Sequence, residues 1–259
     1  MKKHALLAFL LWAVLTAVGE AVAVTWDYFP LAAAREADII DDAFYALVVM
    51  SVPVLAFVLA VVIYSVLRFR QQGKQLEDGP PIHSNKRVVV AWLTITSLLT
   101  VLLMIFPGTL GLLELRDNHI NDPASREADM VVEVQGSQWL WTVTYPEEGI
   151  TLYSAVKTQA IVLPLEKLVR FDVTATDVLH SFWVPAFRVK IDAVPGQVTT
   201  VFARPNTTGT MGGDSGYRLQ CAEICGLGHK DMWFEVRVVE QVEFDAWVTE
   251  NKPSASLAR

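Results

Sequence analysis

The residues best suited to chemistry lie together between positions 221 and 232. Cys221 and Cys225 are the chain's two cysteines, His229 follows four residues after the second, and Met232 follows three residues later. Thiolate, imidazole and thioether groups are ligands for soft and borderline metal ions. Two glycines within the segment allow the backbone to fold around a small centre. The segment 221–232 is therefore predicted to be a metal-binding loop.

The ligand types favour copper over zinc, because a structural zinc site would use a fourth Cys or His rather than a methionine. A mononuclear blue-copper site uses one Cys, two His and a weak axial Met, whereas this loop offers a second thiolate. Two thiolates this close in sequence can bridge two copper ions, and each ion then needs one imidazole and one weak ligand. The alternative is a disulfide or a pair of buried thiols, with Met232 as a core residue. A disulfide would abolish the site, because bridging requires free thiolates.

A second imidazole is available at His180, within the segment DVLHSFWVP (177–185). This segment, the later pattern KxDAxPG (190–196) and the pattern CxExCGxxHxxM (221–232) together closely resemble subunit II of the haem-copper cytochrome c oxidases. The resemblance covers the layout of nearly the whole chain after residue 40, and its specificity lies in these motifs.

The resemblance implies a binuclear copper (CuA) centre and the residues that hold it. Both cysteines would bridge the two ions. The implied ligands are Cys221, Cys225, His180 and Met232 for one copper, and Cys221, Cys225, His229 and the backbone carbonyl of Glu223 for the other. The carboxylate of Glu223 resembles the family's ligand to a magnesium ion shared with the catalytic subunit.

The segment GSQWLW (136–141) resembles the family's aromatic segment over the copper centre. Its first tryptophan, here Trp139, corresponds to the residue that faces the electron donor, while Leu140 replaces a usual aromatic residue. Periodicity alone would assign alternating tryptophans to core and surface packing. When Asn85 and Trp92 are matched to the family, Val89 stands where many members carry a glutamate at the mouth of a proton channel. A proton role for this subunit is therefore left open.

From about residue 130 the sequence changes to short runs rich in Val, Thr and aromatic residues, separated by turn signals. We predict an all-β, cupredoxin-like Greek-key sandwich over residues 130–239, with His180 in a loop at the same end as the metal loop. The predicted strands are 130–134, 139–145, 159–163, 168–174, 198–203, 217–220 and 233–239. A linker is expected at 114–129, and a closing helix and tail at 240–259.

Two segments, 43–67 and 88–113, contain no charged residue and exceed the ~20 residues needed to cross a bilayer. They predict a transmembrane hairpin, with Pro53 and Pro107 as expected sites of kinks. A buried core helix is the alternative, but such a helix seldom continues this long without a charge.

Residues 1–24 admit two interpretations. Lys2 and Lys3, a short apolar run and an Ala-x-Ala sequence ending at Ala23 are typical of a cleaved signal peptide. The same segment is also long enough to be a retained first membrane helix. The sequence does not decide between them.

The basic loop 68–87 predicts the orientation, because short Lys/Arg-rich loops stay cytoplasmic. The acidic segment 25–42 and everything after residue 113 are then external. We expect a multi-pass protein of the plasma membrane whose copper domain faces the periplasm or its equivalent.

The charge of the chain is unevenly divided. Residues 1–112 carry 8 basic and 8 acidic side chains, and residues 113–259 carry 13 basic and 20 acidic ones, so the net charge of -7 belongs to the external part (13 minus 20). Such a surface suits a cationic c-type cytochrome, although acidic surfaces also serve solubility. Nothing in the sequence suggests nucleic-acid binding.

These observations predict a subunit of a terminal oxidase. This subunit would receive electrons and pass them to haem in a separate catalytic subunit, where oxygen is reduced. The alternatives are the CuA subunit of a nitric-oxide or nitrous-oxide reductase and a copper-binding assembly or storage protein. The membrane hairpin and the lack of a propeller domain favour an oxidase over the reductases. An assembly protein would need neither Trp139 nor bridging thiolates. A quinol-oxidase subunit normally lacks the copper ligands.

Overall fold

The computed structural model describes residues 2–26, 29–70, 73, 84–119 and 128–253. Its contacts divide the chain into two compact units. The first unit comprises Met1–Tyr28 and Asp42–Leu112, and the second comprises Phe29–Asp41 and Leu113–Arg259.

The N-terminal part of the chain forms helices α1 (Lys2–Thr25), α2 (Arg35–Phe69), α3 (Lys86–Leu103) and α4 (Leu110–His119). Within the described residues, three helical stretches are long and apolar enough to cross a membrane, namely Lys3–Thr25, Arg35–Phe69 and Lys86–Leu115. The predicted hairpin is therefore present, and a third apolar helix precedes it.

Proline affects the two helices of the hairpin differently. Pro53 is accommodated within α2. Pro107 lies in a π-helical turn, Met104–Thr109, in which Phe106 leaves helical geometry with φ -133° and ψ 126°. Because proline lacks an N–H and its ring restricts the residue before it, the kink falls at this position.

Several helix boundaries differ from those expected from hydropathy. The predicted external segment 25–42 is helical from Arg35 onward, because Glu36 and Asp38 in the first turn of α2 suit the positive end of the helix dipole. Helix α4 continues to His119, into the predicted linker 114–129, since a helix need not end where its apolar stretch ends. Most of the predicted loop 68–87, part of the linker and the end of the tail lie outside the described residues.

The second unit is a two-sheet sandwich, which confirms the predicted fold class. The first sheet has the order β3-β2-β1-β5-β8, with β1 parallel to β5. Its strands are β1 (Met130–Ser137), β2 (Leu140–Tyr145), β3 (Ile150–Tyr153), β5 (Val169–Ala175) and β8 (Thr199–Ala203).

The second sheet has the order β4-β11-β10-β6-β7, and β9 pairs with β11. Its strands are β4 (Ile161–Pro164), β6 (His180–Val184), β7 (Val189–Ala193), β9 (Gly209–Thr210), β10 (Arg218–Cys221) and β11 (Trp233–Val239). Helix α5 (Gln241–Asn251) follows β11, and its Trp247 ring packs 5.2 Å from that of Tyr145.

The sandwich core contains large apolar side chains from both sheets. Trp141 and Phe171 come from the first sheet, while Phe182 and Leu219 come from the second, and all four are almost fully buried. In β5, buried and partly exposed residues alternate along the strand, as expected when one face of a sheet covers a core.

Four of the strands, namely β3, β6, β7 and β9, were not predicted from the sequence. The expectation that His180 lies in a loop was wrong. His180 is the first residue of β6 and pairs with Ala193 of β7. Four of the five residues of β6 are buried, so the strand shows no clear alternation of apolar and polar residues. A short strand without that alternation gives little periodic signal.

Residues 29–41, here called the N-terminal strap, pack against the sandwich within the second unit. The backbone of Ala33 donates to Ala186 O at 2.8 Å and accepts from Asn206 N at 3.1 Å. Arg188 forms a two-pronged ion pair with Asp41, at 2.8 and 2.7 Å. The second unit thus includes a segment that is far from the sandwich strands in sequence.

Candidate metal centre

The metal loop connects two neighbouring strands, as the sequence predicted. Cys221 is the last residue of β10, and Trp233 begins β11. The Cys221 N–H donates to Met232 O at 3.0 Å, which brings the two ends of the loop together. Gly226 has φ +117°, a conformation that an L side chain rarely adopts.

The loop and strand β6 together bring three sulfur and two nitrogen atoms close to one another. Cys221 Sγ lies 3.7 Å from Cys225 Sγ and 3.8 Å from His180 Nδ1. Cys225 Sγ lies 3.6 Å from His229 Nδ1 and 3.8 Å from Met232 Sδ. Each cysteine sulfur therefore has its own imidazole neighbour, one contributed by β6 and the other by the loop.

The cysteines are free thiols in this structure, and their sulfur separation is far longer than the ~2.05 Å of a disulfide. The Cys221 sulfur also lies 3.2 Å from the backbone carbonyl oxygen of Glu223. That carbonyl therefore lies beside the sulfur pair, whereas Glu223 itself is exposed.

The centre is closed to solvent on its inner side. His180 is fully buried, and Cys225 and Met232 are 3% and 1% exposed. Burial raises the pKa of the Cys225 thiol to about 12, and the neighbouring Cys221 adds to this rise. Without a cation the thiol stays protonated at neutral pH, so metal binding must displace its proton.

The donor set fits copper. His180, Cys221 and Cys225 each offer a ligand atom, and these atoms lie within 4.8 Å of one another. Two sulfurs at van der Waals separation, flanked by imidazoles and a thioether, match the preference of copper for soft ligands. A site with only oxygen ligands would suit calcium or magnesium instead.

Asp177 supports the centre from outside, and sequence reasoning did not identify this role. Its carboxylate lies 2.9 Å from His180 Nε2 and accepts a hydrogen bond from Gln138 N at 2.7 Å. Burial would raise the pKa of Asp177, but hydrogen bonds with His180 and with the N–H groups of Gln138 and Val178 lower it below its usual range. A carboxylate behind a ligand histidine fixes the orientation of its ring. Its spacing three residues before His180 was the available signal.

Trp139 lies against the metal loop. Its indole N–H donates to Cys225 O at 3.1 Å, and the Gln138 side-chain amide donates to the same oxygen at 2.6 Å. A Cβ atom at Gly228 would lie 2.5 Å from the Trp139 ring, so the close packing requires glycine there. The ring remains 40% exposed and thus connects the loop with the surface.

Trp141 packs beneath the centre in the core. Its indole N–H donates to Met232 O at 3.4 Å, and its ring meets that of His180 edge-on at a centroid distance of 6.0 Å. A Cβ atom at Gly136 would lie 3.0 Å from His180 Cδ2. The two tryptophans of the aromatic segment therefore both contact the site, Trp139 near the surface and Trp141 from the core.

Comparison with known proteins gives a consistent result. The family model described as cytochrome C oxidase subunit II, periplasmic domain, matches residues 151–242. Cytochrome c oxidase subunit 2 of Synechocystis sp. is 26% identical, with 87% of this chain and 76% of that protein covered. The same subunit of Alkalihalophilus pseudofirmus is 33% identical over 79% of this chain, which spans 57% of that relative's length.

Among solved structures, the periplasmic domain of subunit II of cytochrome oxidase of Bradyrhizobium japonicum is 34% identical. The match covers 49% of this chain and 95% of that domain, with a TM-score of 0.44.

The fold and the site define a membrane-anchored, copper-binding β-sandwich protein. The sequence matches specify it further: the chain belongs to the cytochrome c oxidase subunit II family. It is accordingly a component of an oxidoreductase complex of the cytochrome c oxidase type.

Proposed function

We propose that this chain receives electrons at a copper centre and passes them to haem in the catalytic subunit of a respiratory terminal oxidase. The observation that carries the proposal is the paired arrangement of two free thiols 3.7 Å apart, each with its own imidazole. The matches to oxidase subunits favour this function over a nitrogen-oxide reductase or an assembly protein.

The centre would hold two copper ions. Cys221 and Cys225 would bridge them, and when bound the pair would supply a one-electron carrier. His180 and Met232 would complete one ion, while His229 and the carbonyl of Glu223 would complete the other. The two imidazoles lie beside different cysteine sulfurs, at 3.8 and 3.6 Å, which supports assigning one imidazole to each ion. A rigid β10–β11 frame would keep these ligands nearly fixed when the charge changes.

The exposed carboxylate of Glu223 would bind magnesium at the contact with the catalytic subunit. Its carbonyl and its side chain have separate surroundings, because the carbonyl lies against Cys221 Sγ while the side chain is exposed. The two groups can therefore serve different metals.

A cationic c-type cytochrome would dock on the acidic external domain and deliver electrons at Trp139. The half-exposed ring and its hydrogen bond to Cys225 O support this role. The domain would lie on the periplasmic or external side of the plasma membrane, and the oxidase complex would contain further subunits. The proposed copper domain is residues 130–239, between a linker ending at 129 and the closing segment 240–259.

Metal analysis and electron paramagnetic resonance of the purified oxidase complex test the copper assignment. We expect two coppers per copy of this subunit and a spectrum with the unpaired electron shared over both nuclei. Cys225→Ser should leave at most one copper with a localised spectrum. Met232→Leu should retain copper and shift its potential, because Met232 is a weak ligand. One copper per wild-type subunit would contradict the binuclear assignment.

A further inference from the structure

Helix α1 continues through the place where a signal peptide would be cut. The Ala-x-Ala sequence ends at Ala23, yet the helix continues to Thr25. Ala23 is 2% exposed. The cleavage sequence is thus helical and buried at its last alanine, whereas a processing site must be accessible in an extended form.

Two polar contacts join α1 to α2 within the first unit. His4 Nδ1 lies 2.8 Å from the Tyr64 hydroxyl, and the Trp12 indole N–H donates to Pro53 O at 2.9 Å. The His4 ring also packs 5.6 Å from that of Phe69. In hydrocarbon, interhelical hydrogen bonds of this kind hold helices together where burial of apolar surface gives little driving force.

A close approach of the two helices lies nearer the other end of α1. A Cβ atom at Gly19 would lie 2.7 Å from Val52 Cγ1, so α2 passes where only glycine leaves room. Further along α2, Ala56 and Ala60 are 4% and 1% exposed, and Ala60 lines a cavity together with Trp12 of α1. Small residues at such a crossing are the usual means by which membrane helices pack closely.

We propose that residues 2–25 are retained in the mature protein as the first of three membrane helices, and that His4, Trp12 and Gly19 form the face that binds α2. A signal peptide requires a basic start, an apolar run and a cleavage site. It does not require hydrogen bonds and a fitted glycine contact with the next helix. The contacts occur near both ends and in the middle of α1, so α1 packs against α2 along its whole length.

Intact-mass measurement and N-terminal sequencing of this subunit, taken from the assembled oxidase in native membranes, test the proposal directly. The expected N-terminus is residue 1, or residue 2 after removal of the initiator methionine. An N-terminus at Val24 or later would overturn the proposal. The N-terminus is measured independently of copper content and electron transfer. The proposal that α1 is retained can therefore fail while the proposed function holds, and the reverse.

A pair of variants tests the binding face. Gly19→Leu places a side chain against Val52 and should lower the thermal midpoint of the assembled complex by at least about 2–4 °C. Val18→Leu is the matched control, because Val18 is 58% exposed and should tolerate the same side chain. Trp12→Phe, which loses only the indole N–H, should give a smaller decrease. Equal midpoints for Gly19→Leu and Val18→Leu, with α1 present by mass, would overturn the assignment of this face.

Discussion

Cys225 has the largest number of functional contacts at the metal centre. Its sulfur is near the sulfurs of Cys221 and Met232 and the imidazole of His229, and its carbonyl accepts from Gln138 and Trp139. One residue therefore connects the ligand set with the ring that reaches the surface. A substitution of Cys225 should therefore affect both metal binding and the contact with the exposed Trp139 ring.

Copper binding should depend on pH in a defined direction. The pKa of the Cys225 thiol is raised to about 12 by burial and by Cys221, so between neutral pH and 12 metal binding displaces one proton from it. The apparent affinity should therefore rise by about tenfold per pH unit for each proton displaced. Calorimetry in buffers of different ionisation enthalpy measures the protons released, and Cys225→Ser should release one fewer. Affinity independent of pH from about 6 to 9 would be inconsistent with this account.

The raised pKa of the Cys225 thiol also affects the stability of the metal-free protein, which should fall as pH rises, whereas metal affinity should increase. An unfolded thiol ionises near ~8.5, whereas the folded thiol stays neutral to much higher pH. The metal-free fold is therefore fully stabilised with respect to this group below that unfolded value and loses stability as pH rises above it.

Trp139→Gln should slow electron transfer within the cytochrome complex without greatly changing its affinity. The substitution removes the conjugated ring at the contact and leaves the surface charge unchanged. Trp139→Phe retains a ring but loses the hydrogen bond to Cys225 O, so its rate should be intermediate. Flash photolysis of a preformed complex measures the rate separately from docking. A normal rate in Trp139→Gln would show that this residue only packs against the loop.

At the scale of elements, the N-terminal strap is the feature that most extends the expected domain. Arg188 follows the 3₁₀ turn Pro185–Phe187 after β6, the strand that carries His180. Besides its ion pair with Asp41, it donates to Pro30 O and Pro185 O, both at 2.6 Å. The strap and the β6–β7 connection are thus held by one side chain.

Arg188→Ala should destabilise the domain by about 3–5 kcal/mol, because it leaves a mostly buried carboxylate without its partner. The side chains of Arg188 and Asp41 are 10% and 18% exposed. Arg35→Ala is the matched control, since the Arg35–Glu166 pair is 54% and 49% exposed and such pairs contribute about 0–1 kcal/mol. Loss of copper absorbance during denaturation of the full chain in detergent measures both. Similar losses for the two variants would contradict a stabilising role for the strap.

The ligands could be predicted from sequence because their spacing is local and their chemistry is specific. Cys221, Cys225, His229 and Met232 lie within one loop, so no knowledge of the fold was needed to group them. Asp177 and Gln138 were not predicted as partners, because 39 residues separate them and neither residue type is specific. The strap was predicted only as an external acidic segment, since its ion pair with Arg188 joins residues 147 positions apart.

At the scale of the whole molecule, the uneven distribution of charge concerns the donor. The net charge of -7 belongs to residues 113–259 (13 basic minus 20 acidic). A surface of this kind steers a cationic partner, and salt screens the attraction beyond a Debye length of ~8 Å at physiological ionic strength.

The association rate with a basic cytochrome should therefore fall steeply as salt is added, while electron transfer inside the formed complex should not. Stopped-flow measurements over a range of salt concentrations determine the first rate, and flash photolysis determines the second. An association rate insensitive to salt would point to a tethered or pre-assembled donor.

The order of reduction in the assembled oxidase is the most direct test of the proposed function. After rapid mixing with reduced cytochrome, the copper absorbance and the haem absorbance can be followed separately. We expect the copper centre to be reduced first and haem afterwards, and we expect Cys225→Ser to abolish rapid haem reduction while the complex still assembles. Haem reduction at the wild-type rate in assembled Cys225→Ser oxidase would contradict the proposal that electrons reach haem through this centre.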